Sequence, residues 1–167
     1  MIHYTGGCLC GKIRYRLSGK PKFPHFCSCD DCQRWSGAPI VAWVDFPCAE
    51  LVWDGKGEEP TLFRSSEHTQ RGFCSSCGGT LCALDDGSGF VSMTISTMDN
   101  PSVIVPKSHS YTEMAPRWLI VKAKALKKKR PLWKIGVYGS SDGSLASDVK
   151  IKARLIGKTI AQKGAIW

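Results

Sequence analysis

Three short stretches concentrate cysteine: GGCLCG (Gly6–Gly11), FCSCDDC (Phe26–Cys32) and FCSSCGG (Phe73–Gly79). Thiolates at such spacings are ligands for zinc and similar metals. Cys8 and Cys10 stand two residues apart, the interval at which an extended strand points both side chains to one face. Cys74 and Cys77 form C-x-x-C followed by glycine. That is the spacing of a tight knuckle, in which a turn brings two sulfurs about one tetrahedral edge apart. Together the two pairs make a four-cysteine set from distant points of the chain, and a structural zinc held there would add its binding free energy to folding.

Cys27, Cys29 and Cys32 form the remaining cluster, one ligand short of a closed tetrahedron. Three protein ligands with an open position is the arrangement of a catalytic zinc. A fourth ligand from His25, Cys48 or His68 would close the site instead. Mixed pairing of Cys27 and Cys29 with Cys74 and Cys77 is a third arrangement, and spacing does not decide among them. Cys48 and Cys82 read as small buried hydrophobes. Zinc on three thiolates carries a net negative charge and polarises water less than a three-histidine centre does. Such a centre suits a soft fourth ligand, a thiol, which coordination deprotonates. Arg34 is the nearest basic group for a substrate's carboxylates, and Trp35 and Ser36 are candidates to line the same pocket.

The elements that must position these residues read as short strands. KIRYRLSG sets Ile13, Tyr15 and Leu17 against Lys12, Arg14 and Arg16, the alternation of a half-buried strand. PIVAWVDF, from Pro39, is a β-branched and aromatic run suited to a more buried strand. AELVWDG and TLFRSS read as two strands around a Gly- and Pro-marked loop. GTLCALDDGSGFVSMTIST reads as a hairpin, and SVIVPKSHSY as a further strand. Helical periodicity is poor, so the expected class is an antiparallel all-β domain over residues 1–121.

A chain of 167 residues suffices for one ordinary domain with a real core. Its charge is unevenly spread. Residues 1–121 hold eleven Lys/Arg and twelve Asp/Glu, whereas 122–167 hold twelve and two, so the formal +9 resides in the tail. That basic C-terminal extension reads as solvated and partly disordered, able to bind nucleic acid weakly and in a salt-dependent way. No apolar run is long enough to span a membrane, and the N-terminus lacks the pattern of a signal peptide. The expectation is a cytoplasmic protein whose cysteines bind metal instead of forming disulfides.

The order of patterns is G-G-C-x-C-G, then C-x-C-x-x-C-x-R-x-x-G, then R-x-F-C-x-x-C-G, followed by STMDNP, KSHSY around His109 and APRW ending at Trp118. This resembles the glutathione-dependent formaldehyde-activating enzyme family, which includes the centromere protein V domain, over roughly residues 3–120. The resemblance implies an Mss4-like β-tent fold. It implies a structural zinc on Cys8, Cys10, Cys74 and Cys77, and a second zinc on Cys27, Cys29 and Cys32 near a glutathione site. The implied activity is that of a carbon–sulfur lyase on a glutathione adduct of formaldehyde or a related small aldehyde. The family usually reads Cys-His-Cys where this chain has Ser28 between two cysteines. The alternative, from another class, is a non-catalytic zinc module that binds a partner or nucleic acid through its surface and basic tail.

Overall fold

A computed structural model describes residues 2–57 and 59–121; the basic extension 122–167 lies outside the described residues. Ten strands among the described residues form two sheets. The smaller has three antiparallel strands in the order β1-β2-β5, where β1 is Tyr4–Gly7, β2 Arg14–Leu17 and β5 Leu51–Trp53. The larger has seven: β10 (Ser108–Ser110), β3 (Lys22–Cys27), β4 (Val41–Pro47), β9 (Phe90–Thr94), β8 (Thr80–Asp85), β7 (Thr69–Phe73) and β6 (Thr61–Arg64), in that order. All its pairings are antiparallel except β10 with β3.

The two-residue period of a strand gives the large sheet two different faces. Ala42, Val44 and Phe46 of β4, Val91 and Met93 of β9, and Cys82 and Leu84 of β8 turn one way, into the main core. Tyr15 and Leu17 of β2 meet them from the small sheet, as the alternation in KIRYRL predicts. Burial of each large apolar side chain here contributes about 1.5–3 kcal/mol. The intervening residues, Trp43 and Asp45, Ser92, Ala83 and Asp85, and Thr69 and Arg71, turn the other way and line one cavity. Core and candidate site are therefore the two sides of one sheet.

The expected all-β class holds, with one short helix, α1 (Asp30–Ser36), that periodicity misses because seven residues complete only two turns. Its ends are chemically explicit. The Cys29 sulfur accepts the Cys32 N–H, Asp30 and Asp31 sit in the first turn, and Gly37 closes the helix at φ 65°. Two strands, β3 and β7, escape the sequence pattern because Pro24 and Gly72 interrupt their alternation. The strand expected over SVIVPKSHSY is confined to β10; Pro101–Val103 forms a 3-10 turn, and Pro106 has no N–H for a ladder. Cys8 and Cys10 lie in a turn after β1, closed by Gly11 N–H to Cys8 O at 3.1 Å, not on a strand.

Gly6 lies tightly between its cross-strand partner Tyr15 and the turn after β9. A Cβ there would collide with the Tyr15 ring and the Thr97 carbonyl, while Tyr15 is 1% exposed and bonded to Thr97 Oγ1 at 2.8 Å. Gly6→Ala is expected to destabilise the protein by about 1–3 kcal/mol, as overpacking does. Urea denaturation checks this: the midpoint falls while the slope stays constant.

Candidate metal centres and the thiol-lined cavity

Cys8 and Cys10 come from the turn after β1, Cys74 and Cys77 from the turn between β7 and β8. Their four sulfurs lie within 4.8 Å of one another, with Cys8–Cys10 at 3.5 Å and Cys10–Cys74 at 3.8 Å. The edge of a tetrahedron with metal–sulfur bonds of about 2.3 Å is about 3.8 Å. Gly78 makes the knuckle possible: at φ +70° its N–H reaches Cys74 O at 2.8 Å. Proton affinities in the set conflict. Backbone N–H groups of Gly79 and Cys10 hold the Cys77 thiol down at about 6. Cys10 receives the Lys12 N–H, which favours its thiolate, yet desolvation and the neighbouring thiols push it up to about 11. A cation among four thiolates removes this conflict, so the donor set fits a metal ion.

The second cluster sits where β3 passes into α1. Cys27 ends the strand, Cys29 caps the helix and Cys32 lies one turn in, so a strand–helix junction, not a loop, gathers the sulfurs within 4.8 Å. Mixed pairing with Cys74 and Cys77 does not occur. Among the described residues no fourth His, Cys, Asp or Glu joins the three, His25, Cys48 and His68 included. The Cys32 thiol is held down at about 5 by the Cys27 thiol, with Cys29 and Arg71 helping against burial. Cys27 is pushed far up by Cys32 and by burial.

Arg71, on β7, is 6% exposed and donates from Nη1 to Cys32 Sγ at 3.8 Å and from Nε to Ser65 Oγ at 3.0 Å. Its Nη2 has no hydrogen-bond partner among the described residues, and Arg71 lines the cavity. The cavity holds about 370 Å³, with the three thiols and Arg71 in its wall and Phe23, His25 and Tyr111 around them. Cysteine spacing by itself assigns Arg71 no role, although it opens the R-x-F-C-x-x-C-G pattern. An arginine three positions before a cysteine pair is the signal that could have found it.

Arg34, Trp35 and Ser36 do not line this cavity. The Arg34 side chain is 81% exposed and lies 3.9 Å from Asp30, one helical turn away. Trp35 stacks on Phe63 at 6.3 Å and meets Phe73 edge-on at 5.7 Å; its Nε1 is buried without a partner among the described residues. Ser36 Oγ donates to Cys32 O at 2.7 Å and accepts the Ala38 N–H, finishing the helix. Ser28 is fully buried and points away from the cavity: it donates to Pro39 O at 2.9 Å, so His109 Nε2–H donates to it at 2.8 Å. Cys82 is buried as expected and its thiol is pushed up to about 12 by burial, but Cys48, in a 3-10 turn, is exposed.

No helix among the described residues is long and apolar enough to cross a membrane. No curated protein matches the chain. A crystal structure of a Rhodobacter sphaeroides protein, a structural genomics target, aligns with a TM-score of 0.50 at 20% identity, covering 64% of this chain and 99% of that one. At that identity the likeness shows the fold alone. Residues 3–114 match the family model described as "Glutathione-dependent formaldehyde-activating enzyme". That match covers most of the chain and all seven clustered cysteines, so with its short-stranded, Mss4-like fold the chain belongs to the glutathione-dependent formaldehyde-activating enzyme family.

Proposed function

We propose that the protein catalyses the reversible addition of a thiol, glutathione in the first instance, to formaldehyde or a related small aldehyde, a carbon–sulfur lyase reaction. The observation that carries this reading is the three-thiol group with no fourth protein ligand among the described residues, opening on a cavity beside a buried arginine. Cys8, Cys10, Cys74 and Cys77 would hold one zinc as a structural clasp, and Cys27, Cys29 and Cys32 a second. A zinc bound by three thiolates supplies a soft site that keeps an incoming thiol in its thiolate form.

The chain's own residues do the rest. His25 Nδ1 donates to Phe23 O at 2.8 Å, which leaves Nε2 as an acceptor for the thiol's proton. In the addition, the substrate sulfur forms a bond to the carbonyl carbon and the C=O π pair moves onto oxygen. Arg71 Nη2 is the available donor for that developing alkoxide, which then takes up the thiol's proton from His25 Nε2 through water, returning the imidazole to its starting form. The reverse reaction retraces these movements. Arg34, Trp35 and Ser36 remain candidates for the part of a tripeptide that extends past the cavity mouth. The alternative of a nucleic-acid-binding zinc module draws its basicity from 122–167, outside the described residues, and no specific observation favours it.

Metal analysis of the full-length protein is expected to find two zinc ions per chain. Cys29→Ser should lower this to about one while circular dichroism stays native; Cys77→Ser should lose the fold as well, because structural zinc binding is folding free energy. Exchange NMR on glutathione and formaldehyde tests the activity: if wild type and Cys29→Ser both match the rate in buffer, the enzyme reading fails. Arg71→Gln in zinc-loaded protein is expected to lower kcat about 10²–10³-fold, the usual effect of removing one donor to a developing oxyanion.

A further inference from the structure

Among the described residues, positive φ occurs at six glycines and at two other residues, Phe23 at 43° and Tyr111 at 58°. For a bulky side chain this region is strained, because Cβ is driven toward the following carbonyl oxygen. Both strained residues are aromatic, and both line the cavity that holds Cys27, Cys29 and Cys32. Each is set by a local irregularity. The β3–β4 register shifts between Lys22 and His25, so Phe23 and Pro24 together face the single residue Val44. Such a bulge bends its strand and re-aims a side chain, and its left-handed position usually belongs to glycine. Tyr111 follows β10 and opens a 3-10 turn, its carbonyl accepting the Met114 N–H at 3.2 Å. Ser108 pairs with His25 and Ser110 with Cys27 in parallel, so Phe23 precedes this paired segment and Tyr111 follows it.

The core holds neither ring. Phe23 is 57% exposed and Tyr111 52%, and neither packs in a buried cluster. Phe23 leans only on the His25 ring, with centroids 4.3 Å apart. Burial therefore does not offset the strain at either position, and strained residues of this kind gather at ligand clamps. The cavity of about 370 Å³ has room beyond the carbon and sulfur that react. A peptide group is planar and lies flat on an aromatic face or points its N–H at one. Glutathione carries two such planes, one on each side of its cysteine.

We infer that Phe23 and Tyr111 are specificity-determining residues that stack on the peptide planes flanking the substrate's thiol, so that the site takes peptidic thiols over simple ones. The inference rests on the thiol-addition reading above and names the groups that hold the non-reacting part of the substrate. The sulfur goes to the Cys27–Cys29–Cys32 side, between the two aromatic positions in the β3–β10 register. Binding forms and breaks no covalent bond beyond those of the addition already described.

The test is calorimetric binding to the full-length, zinc-loaded protein without aldehyde. The probes are glutathione, N-acetylcysteamine, which has one amide and no charge, and 2-mercaptoethanol, which has neither. Tyr111→Asn and Phe23→Asn each remove a ring while tolerating positive φ; Tyr111→Phe keeps the ring. Each Asn variant is expected to weaken glutathione binding about five- to tenfold, the scale of one lost aromatic stack, and 2-mercaptoethanol binding by no more than about twofold. N-acetylcysteamine should lose affinity in at least one of them, and Tyr111→Phe should bind all three like wild type. Melting temperatures of the Asn variants should equal or exceed that of wild type, whereas loss of a structural ring lowers it. Unchanged glutathione or N-acetylcysteamine affinity in both Asn variants, or an equal loss for 2-mercaptoethanol, overturns the inference and leaves thiol addition standing. If glutathione binds with these preferences but adds to formaldehyde no faster than in buffer, thiol addition falls and the aromatic contacts stand. Failure of glutathione to bind wild type overturns both.

Discussion

Four sulfurs, from turns that follow a strand of each sheet, meet where the two sheets come together. Cys8 and Cys10 follow a strand of the small sheet; Cys74 and Cys77 follow a strand of the large one. Packed within 4.8 Å, they cannot all be thiolates without a cation, so a clasp there is strong only when its charge is matched. The apolar seam between the sheets complements it. Tyr15 and Leu17 face Val44, Phe46 and Met93 across that seam, and Gly6 lets the Tyr15 ring close against the backbone. With the sheets so packed, the outer face of the large sheet keeps only a small buried cluster of Cys27, Cys32, Val41 and Trp43 and can carry polar residues beside it.

That division explains what could be read from the residues alone. Strands with one polar and one apolar face, such as Arg14–Leu17, announce themselves by period two, and cysteine spacing identified both clusters. The outer face of the large sheet is harder to read. Asp45, Asp85 and Arg71 each lie in strands dominated by apolar or small neighbours, far apart in the chain. Only the register that pairs Asp45 with Ser92 and Ala83 with both Ser92 and Arg71 brings them to one cavity. Proximity in sequence pointed to Arg34 beside Cys32, whereas a cross-strand neighbour supplies the buried guanidinium. The β-branched run Val103–Val105 misled for a related reason: flanking prolines remove ladder donors, and Ile104 alone is buried.

Ser28 illustrates how a local substitution takes its meaning from the elements around it. It lies between two thiols in sequence, but a residue between two same-side neighbours turns the other way. Its hydroxyl meets Pro39 O and His109 Nε2, and its N–H meets Ser110 O at 3.1 Å. Ser28 thus fastens the three-cysteine junction to β10 and leaves the cavity's polarity to the sheet face.

The parallel pairing of β10 with β3 also sets the order in which the molecule can be completed. Ser108–Ser110 pairs with His25–Cys27 across more than eighty residues, and Gln33 Nε2 reaches Met114 O at 3.1 Å. Contacts so distant in sequence carry a large loop-closure cost and slow the search for the native state. During synthesis, the three-cysteine junction stays without its edge strand until residue 110 has left the ribosome. Through that interval its thiols are open to oxidation and to the wrong metal, so the last strand to arrive protects chemistry encoded near the start.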